Sequence, residues 1–318
     1  IFIIQVQICI PAITLLTLQP ETARHNFCKT MKILRTRREL EQFCNAEREN
    51  GRRIGLVPTM GALHRGHLSL VKRAIDAGDS VVASVFVNPT QFNNSNDLAT
   101  YPRCEADDFA LLEGAGVSAV FAPSVEEMYP DGQQRDHDFD LGEVAEVMEG
   151  KYRPGHFQGV AQVVSRLMHL AEPCRAYFGQ KDYQQIAVLR RMKKTEGIAD
   201  VDIVACPICR ADDGLALSSR NRLLSPQQRL TAPGIYRILS QSVEFSRNHS
   251  VEETRQYVIE EVNKLPECEV EYFEIADADT LQSIADWTDA EAVIGCITVY
   301  CGKIRLIDNI FYRPLPKV

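Results

Sequence analysis

The stretch SVVASVFV at 80–87 is apolar or small at every position, with no alternation of polar side chains. A strand of this kind has no face to offer to water, so it belongs inside a parallel sheet covered on both sides. Its neighbours repeat the theme. RRIGLV at 52–57 is another short apolar run, the segment from His67 to Ala77 has helical apolar spacing and ends at Gly78, and Pro89 stops the next strand. Together they make a strand, helix, strand unit.

Further rounds follow. ADDFALLEGAG at 106–116 reads as a helix and VSAVFAPS at 117–124 as a strand. VAQVVSRLMHLAEP at 160–173 is a helix closed by proline, AYFG at 176–179 a short strand, YQQIAVLRRMKKTEG at 183–197 a helix, and DIVACPI the last strand of this half. The pattern from Met31 to about Cys209 is α/β: a Rossmann-like parallel sheet flanked by helices.

Past Arg210 the pattern changes. Ser225, Pro226 and Gln228 form an N-cap, a first-turn proline and a capping-box partner, marking the start of a helix that runs on through PGIYRILSQSVEFSR. A second helix over 251–264 is followed by EVEYFEIAD at 269–277. AEAVIGCITVY and KIRLIDNI then come so close together, with Cys301 and Gly302 in the turn, that the two strands must be antiparallel. The expected organisation is a first domain over 31–208 and a smaller α+β domain over 209–318. Residues 1–30, broken by Pro11 and Pro20 and lacking a basic start, read as an N-terminal extension outside the fold, neither signal peptide nor membrane span.

With 43 acidic residues against 35 Lys and Arg, the basic residues scattered, the chain has no nucleic-acid surface, and an anionic ligand needs a local site. The ten cysteines have no regular spacing, and Cys206 and Cys209 lack the second pair that a zinc site requires. They read as reduced thiols of a cytoplasmic protein.

PTMGALHRGH at 58–67 stands where strand 52–57 hands over to a helix. In an open parallel sheet such a loop lies on the ligand-binding edge. Gly61 and Gly66 let the backbone approach a bulky group, the helix start offers unpaired N–H groups, and His64 and His67 can donate to phosphate oxygens. GQKD places Lys181 just past another strand, and LALSSRN places Ser218, Ser219 and Arg220 at the domain junction, a donor set suited to phosphate. Asn88, Gln91 and Gln185 are amides that can bind hydroxyls and a carboxylate without adding fixed charge.

An H-x-G-H segment opening the first helix after a strand resembles the signature of the nucleotidyl-transferring α/β superfamily. Six segments in one order, PTMGALHRGH, VFVNPTQF, YPR, EGKYRPGHFQGVAQVV, YFGQKDYQQ and DGLALSSRN, with RLIDN near the end, are more specific. From Met31 to the C-terminus the chain closely resembles the pantoate–beta-alanine ligases, the pantothenate synthetases.

The resemblance implies an ATP-dependent enzyme that joins pantoate to beta-alanine through a pantoyl adenylate, releasing pyrophosphate and AMP. It implies an ATP site of Met60, Gly61, Ala62, Leu63, His64, Arg65, Gly66, His67, Gly179, Gln180, Lys181, Asp182, Cys209, Leu217, Ser218, Ser219 and Arg220. Of these, His64, His67 and Lys181 would hold the phosphates, with His67 as proton donor. Gln91 and Gln185 would hold pantoate, Gln91 also lying near beta-alanine. Mg²⁺ would accompany ATP, with Asp107 as its protein contact. A homodimer made by the first domain, with the smaller domain closing over ATP, is also implied. A tRNA-charging member of the superfamily would need a basic tRNA-binding module, which the chain lacks. A catalytically dead relative would be expected to have lost His64, His67, Lys181 or the SSR segment.

Overall fold

A computed structural model describes residues 30–92, 95–132 and 138–314, with only the backbone of 95–97. The segment 1–30, expected to stand outside the fold, falls outside the described residues as far as 29.

The first half builds a six-stranded sheet from β1 (Lys32–Leu34), β2 (Ile54–Thr59), β3 (Ser80–Val85), β4 (Ala119–Phe121), β5 (Cys174–Gly179) and β6 (Val201–Cys206). The order is β1-β4-β3-β2-β5-β6, and every pairing is parallel. The apolar run that suggested a doubly covered strand is β3, and its residues alternate between two cores. Val82 packs with Ile54, Leu56 and the helices Arg37–Glu49, His156–Ala171 and Tyr183–Thr195. Val81 and Ala83 pack on the other face with Leu70, Val71 and Leu112 of Arg65–Asp76 and Glu105–Gly114.

This order fixes the ligand edge. From β2 the chain moves outward through β3 and β4, then returns to lay β5 on the other side of β2, with Leu56 opposite Ala176. The carboxyl ends of β2 and β5 therefore flank a topological switch point, where open α/β sheets leave a crevice. The H-x-G-H loop leaves β2 and the Lys181 turn leaves β5, so the two motifs meet there.

The second half forms an antiparallel sheet, β7 (Cys268–Asp277), β8 (Val293–Cys301) and β9 (Ile304–Arg313), in the order β7-β8-β9. Helices Pro233–Phe245 and Val251–Asn263 cover one face with Ile235, Leu239, Val258 and Val262 against Phe273, Ile275 and Ile297. Ala276, Ile294 and Cys296 join a separate cluster with Met148 and Tyr183 of the first half. A buried ion network crosses the same seam: Arg305 on β9 donates to both oxygens of Glu149, at 2.8 and 2.6 Å, and Tyr272 adds a bond of 2.8 Å.

Three local expectations change. The helix beginning at Ser225 is two helices, Pro226–Thr231 and Pro233–Phe245, because Pro233 has no N–H to continue the ladder and its ring crowds the preceding turn. The β8–β9 hairpin turns through Gly302 and Lys303, one residue later than expected, with Cys301 still paired to Ile304 and Gly302 at φ +59°. The helix after β2 begins at Arg65, with His64 as its N-cap, two residues before the expected start.

Candidate active site

A cleft of about 260 Å³ opens at the switch point. Its lining draws on the H-x-G-H loop, the segment after β3, the helix that begins at His156, the turn after β5 and the stretch 207–220.

The loop is held by its own chemistry. Gly61, at φ +78°, and Ala62, at φ 50°, turn the chain through left-handed conformations. A side chain at Gly61 would stand 2.8 Å from an oxygen of Asp108. That carboxylate, buried on the helix Glu105–Gly114, accepts the N–H of Ala62 at 2.9 Å and of Leu63 at 2.7 Å. Thr59 completes the clamp, donating to the carbonyl of Ser84 at 2.6 Å and accepting from Gly61 N–H at 3.2 Å.

The two histidines cap one helix reciprocally. Nδ1 of His64 accepts the N–H of Gly66 at 3.1 Å, and Nδ1 of His67 accepts the N–H of His64 at 3.3 Å. This is a capping box written with imidazoles. An Nδ1 that accepts carries no proton, so each ring is neutral with its hydrogen on Nε2. The surroundings enforce that state. Burial pushes His64 down to about 4 from its ordinary 6.5, helped by the charges of Lys181 and Arg222. Burial pushes His67 to about 3, with His64 and Lys181 acting the same way. A Cβ on Gly66 would come within 2.8 Å of the His64 ring, which explains the glycine between them.

Lys181 sits in the turn Gln180–Asp182 after β5, its ammonium 3.2 Å from Asp182. Ser218 caps the turn Ser219–Leu223 by accepting Arg220 N–H at 3.2 Å. Leu217 donates its N–H to the Cys209 carbonyl at 3.0 Å, so both reach the cleft from one hairpin-like pair of segments. On the opposite wall Asn88 ties the loop after β3 together: its amide donates to Gln91 Oε1 at 3.2 Å and to the Gly159 carbonyl at 3.0 Å. Gly159 cannot be larger, since a Cβ there would lie 2.3 Å from the Thr90 carbonyl oxygen.

Of the residues named from the sequence, Met60, His64, Gly66, His67, Gln91, Gly179, Lys181, Asp182, Gln185, Cys209, Leu217, Ser218, Ser219 and Arg220 line this cleft together. Gly61, Ala62, Leu63, Arg65 and Gln180 belong to the same turns without being part of the lining. Asp107 does not join them. It is exposed on its helix, and a helical step of about 100° separates it from Asp108, which faces inward onto the loop. The metal contact expected of Asp107 therefore has no support in the geometry.

Sequence reasoning missed Arg153 and His156, which also line the cleft. Arg153 lies 3.2 Å from Nε2 of His156, whose Nδ1 lies 2.9 Å from the Gln91 carbonyl. Burial and the neighbouring guanidinium of Arg153 press His156 down to about 4. Both sit in KYRPGHFQGV, part of one of the segments that carry the family resemblance.

Comparison with known proteins gives the family of the chain. The family model described as pantoate-beta-alanine ligase matches residues 32–311. The chain belongs to the pantoate–beta-alanine ligase family. A pantothenate synthetase of Porphyromonas gingivalis is 57% identical over 283 residues, 89% of this chain and all of that protein. One from Phocaeicola vulgatus is 53% identical over the same share. Among solved structures, pantothenate synthetase from Thermus thermophilus matches with a TM-score of 0.82 at 45% identity, covering 89% of this chain and 100% of that one. Pantoate–beta-alanine ligase from Francisella tularensis, complexed with beta-gamma ATP and beta-alanine, matches with a TM-score of 0.72 at 35% identity, covering 89% and 98%.

Proposed function

We propose that this cleft carries both steps of a pantoate–beta-alanine ligase. A carboxylate oxygen of pantoate attacks the α-phosphorus of ATP and pyrophosphate leaves with its electron pair. The amine of beta-alanine then attacks the acyl carbon of the pantoyl adenylate, loses a proton, and AMP departs. The observation that carries the reading is the convergence of His64, His67 and Lys181 from the ends of β2 and β5 on one cleft.

The chemistry asks for positioning and charge neutralisation, with no protein nucleophile. Charge builds on the phosphate oxygens during transfer, and Lys181 answers it as a cation. His64 and His67 answer as neutral donors through Nε2. In the free enzyme a ring with its pKa near 3 or 4 carries no extra proton to give, so hydrogen bonding is their first role. Met60 to His67, Gly179 to Asp182, Cys209 and Leu217 to Arg220 surround the nucleotide, and Gln91 and Gln185 take pantoate through amide hydrogen bonds.

Mg²⁺ fits as an ion that arrives with the nucleotide. Among the described residues no group of three or more His, Cys, Asp or Glu side chains is arranged to hold a metal. A hard divalent ion bound mainly by phosphate oxygens needs few protein ligands and supplies charge neutralisation there. The homodimer, the closure of 209–318 over ATP and a cytoplasmic location complete the proposal. Among the described residues no helix is long and apolar enough to cross a membrane.

Purified protein should form AMP from ATP when pantoate and beta-alanine are both supplied, and should stop when either is omitted. AMP formation driven by free amino acids and tRNA would overturn the assignment. A solution mass of a single copy would remove the dimer.

A further inference from the structure

Backbone carbonyls of the H-x-G-H loop and of the lysine turn accept hydrogen bonds from donors in the second half of the chain. Asn309 on β9 is buried, at 4% exposure, and spends both hydrogens of its amide on consecutive carbonyls of the lysine turn: Gln180 at 2.7 Å and Lys181 at 3.1 Å. On the other motif, Arg222 donates to the carbonyl of Leu63 at 3.0 Å, one residue before His64. Neither residue lines the cleft.

Both donors are themselves braced. The N–H of Asn309 donates to Asp308 at 2.8 Å, and Asp308 takes a two-pronged bond from Arg210 at 2.6 and 2.9 Å. Arg210 lies over the Tyr236 ring at 3.5 Å and donates to the Gly214 carbonyl at 3.2 Å. A continuous polar chain thus runs from the segment after β6, through β9, to the backbone of Lys181. Arg222 stands just past the Ser219 and Arg220 pair, in the same short turn.

In the structure these contacts come from the second half of the chain. Asp108 and Thr59 hold the N–H side of the H-x-G-H loop from within its own fold, and they leave the Leu63 carbonyl to Arg222. We infer that Asn309 and Arg222 are positioning residues for Lys181 and His64, making correct seating of the second half a condition for adenylyl transfer. Neither touches substrate in this scheme. Each acts by fixing the peptide plane next to a phosphate-facing side chain, and an error of about 1 Å there costs on the order of a hundredfold in rate.

This rests on the adenylation reading above, and one assay separates the two. Pantoate-dependent exchange of labelled pyrophosphate into ATP reports the first step alone. Wild-type protein that shows no exchange overturns the adenylation reading. Given wild-type exchange, Asn309→Asp, which keeps the size but removes the donors, should lower the saturated rate about ten- to a hundredfold. Its KM for pantoate should stay within about twofold of wild type, since an effect on positioning falls on the rate and not on substrate binding. Arg222→Ala should lower the rate about three- to tenfold, the scale of one ordinary hydrogen bond, and Arg222→Lys should restore most of it.

Wild-type rates in both Asn309→Asp and Arg222→Ala overturn the inference. So does an Arg222→Lys variant as slow as Arg222→Ala, or losses confined to the pantoate KM. If Asn309→Asp fails to fold, as its melting curve would show, the Arg222 pair decides alone.

Discussion

The backbone N–H of His64 donates to Nδ1 of His67 across 3.3 Å, so the two imidazoles of the motif are locked to each other through the first turn of their helix. Their rings stand with centroids 4.2 Å apart. The capping that orients them also fixes which nitrogen is free to donate, and this joins a stability role to a chemical one.

Those roles separate in His64→Asn. Asparagine is a good N-cap and can still accept from Gly66, so the unfolding free energy should stay within about 1 kcal/mol of wild type. It lacks an Nε2 donor at the same reach, and the adenylation rate should drop about a hundred- to a thousandfold, as for a lost transition-state donor. Pyrophosphate release at saturating ATP and pantoate measures it. A near-normal rate would remove His64 from the chemistry.

Gly66→Ala should move stability and activity in opposite directions or leave the first unchanged. Alanine within a helix gains roughly 0.5–1 kcal/mol over glycine. Its Cβ would lie 2.8 Å from the His64 ring, so the ring must rotate away and lose its bond to the N–H of residue 66. Unfolding curves and adenylation rates on the same preparation test both halves, and a fully active variant would show that the ring has room the structure does not give it.

Much of this was legible in the sequence, and the failures have physical reasons. β3 could be placed because eight apolar or small residues in a row leave a strand no solvent face, and the parallel sheet follows from that. The pairing of Ser225 with Gln228 marked a helix start correctly because capping is local. The break at Pro233 was equally local but was outweighed by the continuing apolar spacing. Asp107 and Asp108 are adjacent and identical in type, and only the rotation of their helix against the loop decides which carboxylate turns inward. Arg153, His156 and Asn309 escaped because their importance comes from what lies across the fold: Gln91 is 65 residues from His156, and Lys181 is 128 from Asn309.

The contrast between the two aspartates is directly testable. Asp107→Ala should leave stability, ATP-dependent activity and the Mg²⁺ concentration for half-maximal rate essentially unchanged, because that side chain stands in solvent away from the cleft. Asp108→Ala strips the acceptor from the N–H groups of Ala62 and Leu63. Leaving buried donors unsatisfied costs about 1–3 kcal/mol each, so this variant should melt markedly lower. A raised Mg²⁺ requirement in Asp107→Ala would restore the metal contact that the geometry withdraws.

The pH dependence of folding follows from the buried histidines. His64, His67 and His156 are held down to about 4, 3 and 4 by burial first and by neighbouring positive charge second. Unfolded, each returns to an ordinary value of 6.5. Between these limits the unfolded chain binds more protons than the folded one, so acid favours unfolding. Their contribution is therefore fully present above about 6.5 and is lost progressively as pH falls toward 4. Denaturant midpoints measured from pH 8 down to pH 4 should be flat at the upper end and fall below about 6.5. His67→Asn should make that fall shallower, since it removes one of the three linked protons. A midpoint that stays level through this window in the wild type would mean that the fold does not hold these rings neutral below about 6.5.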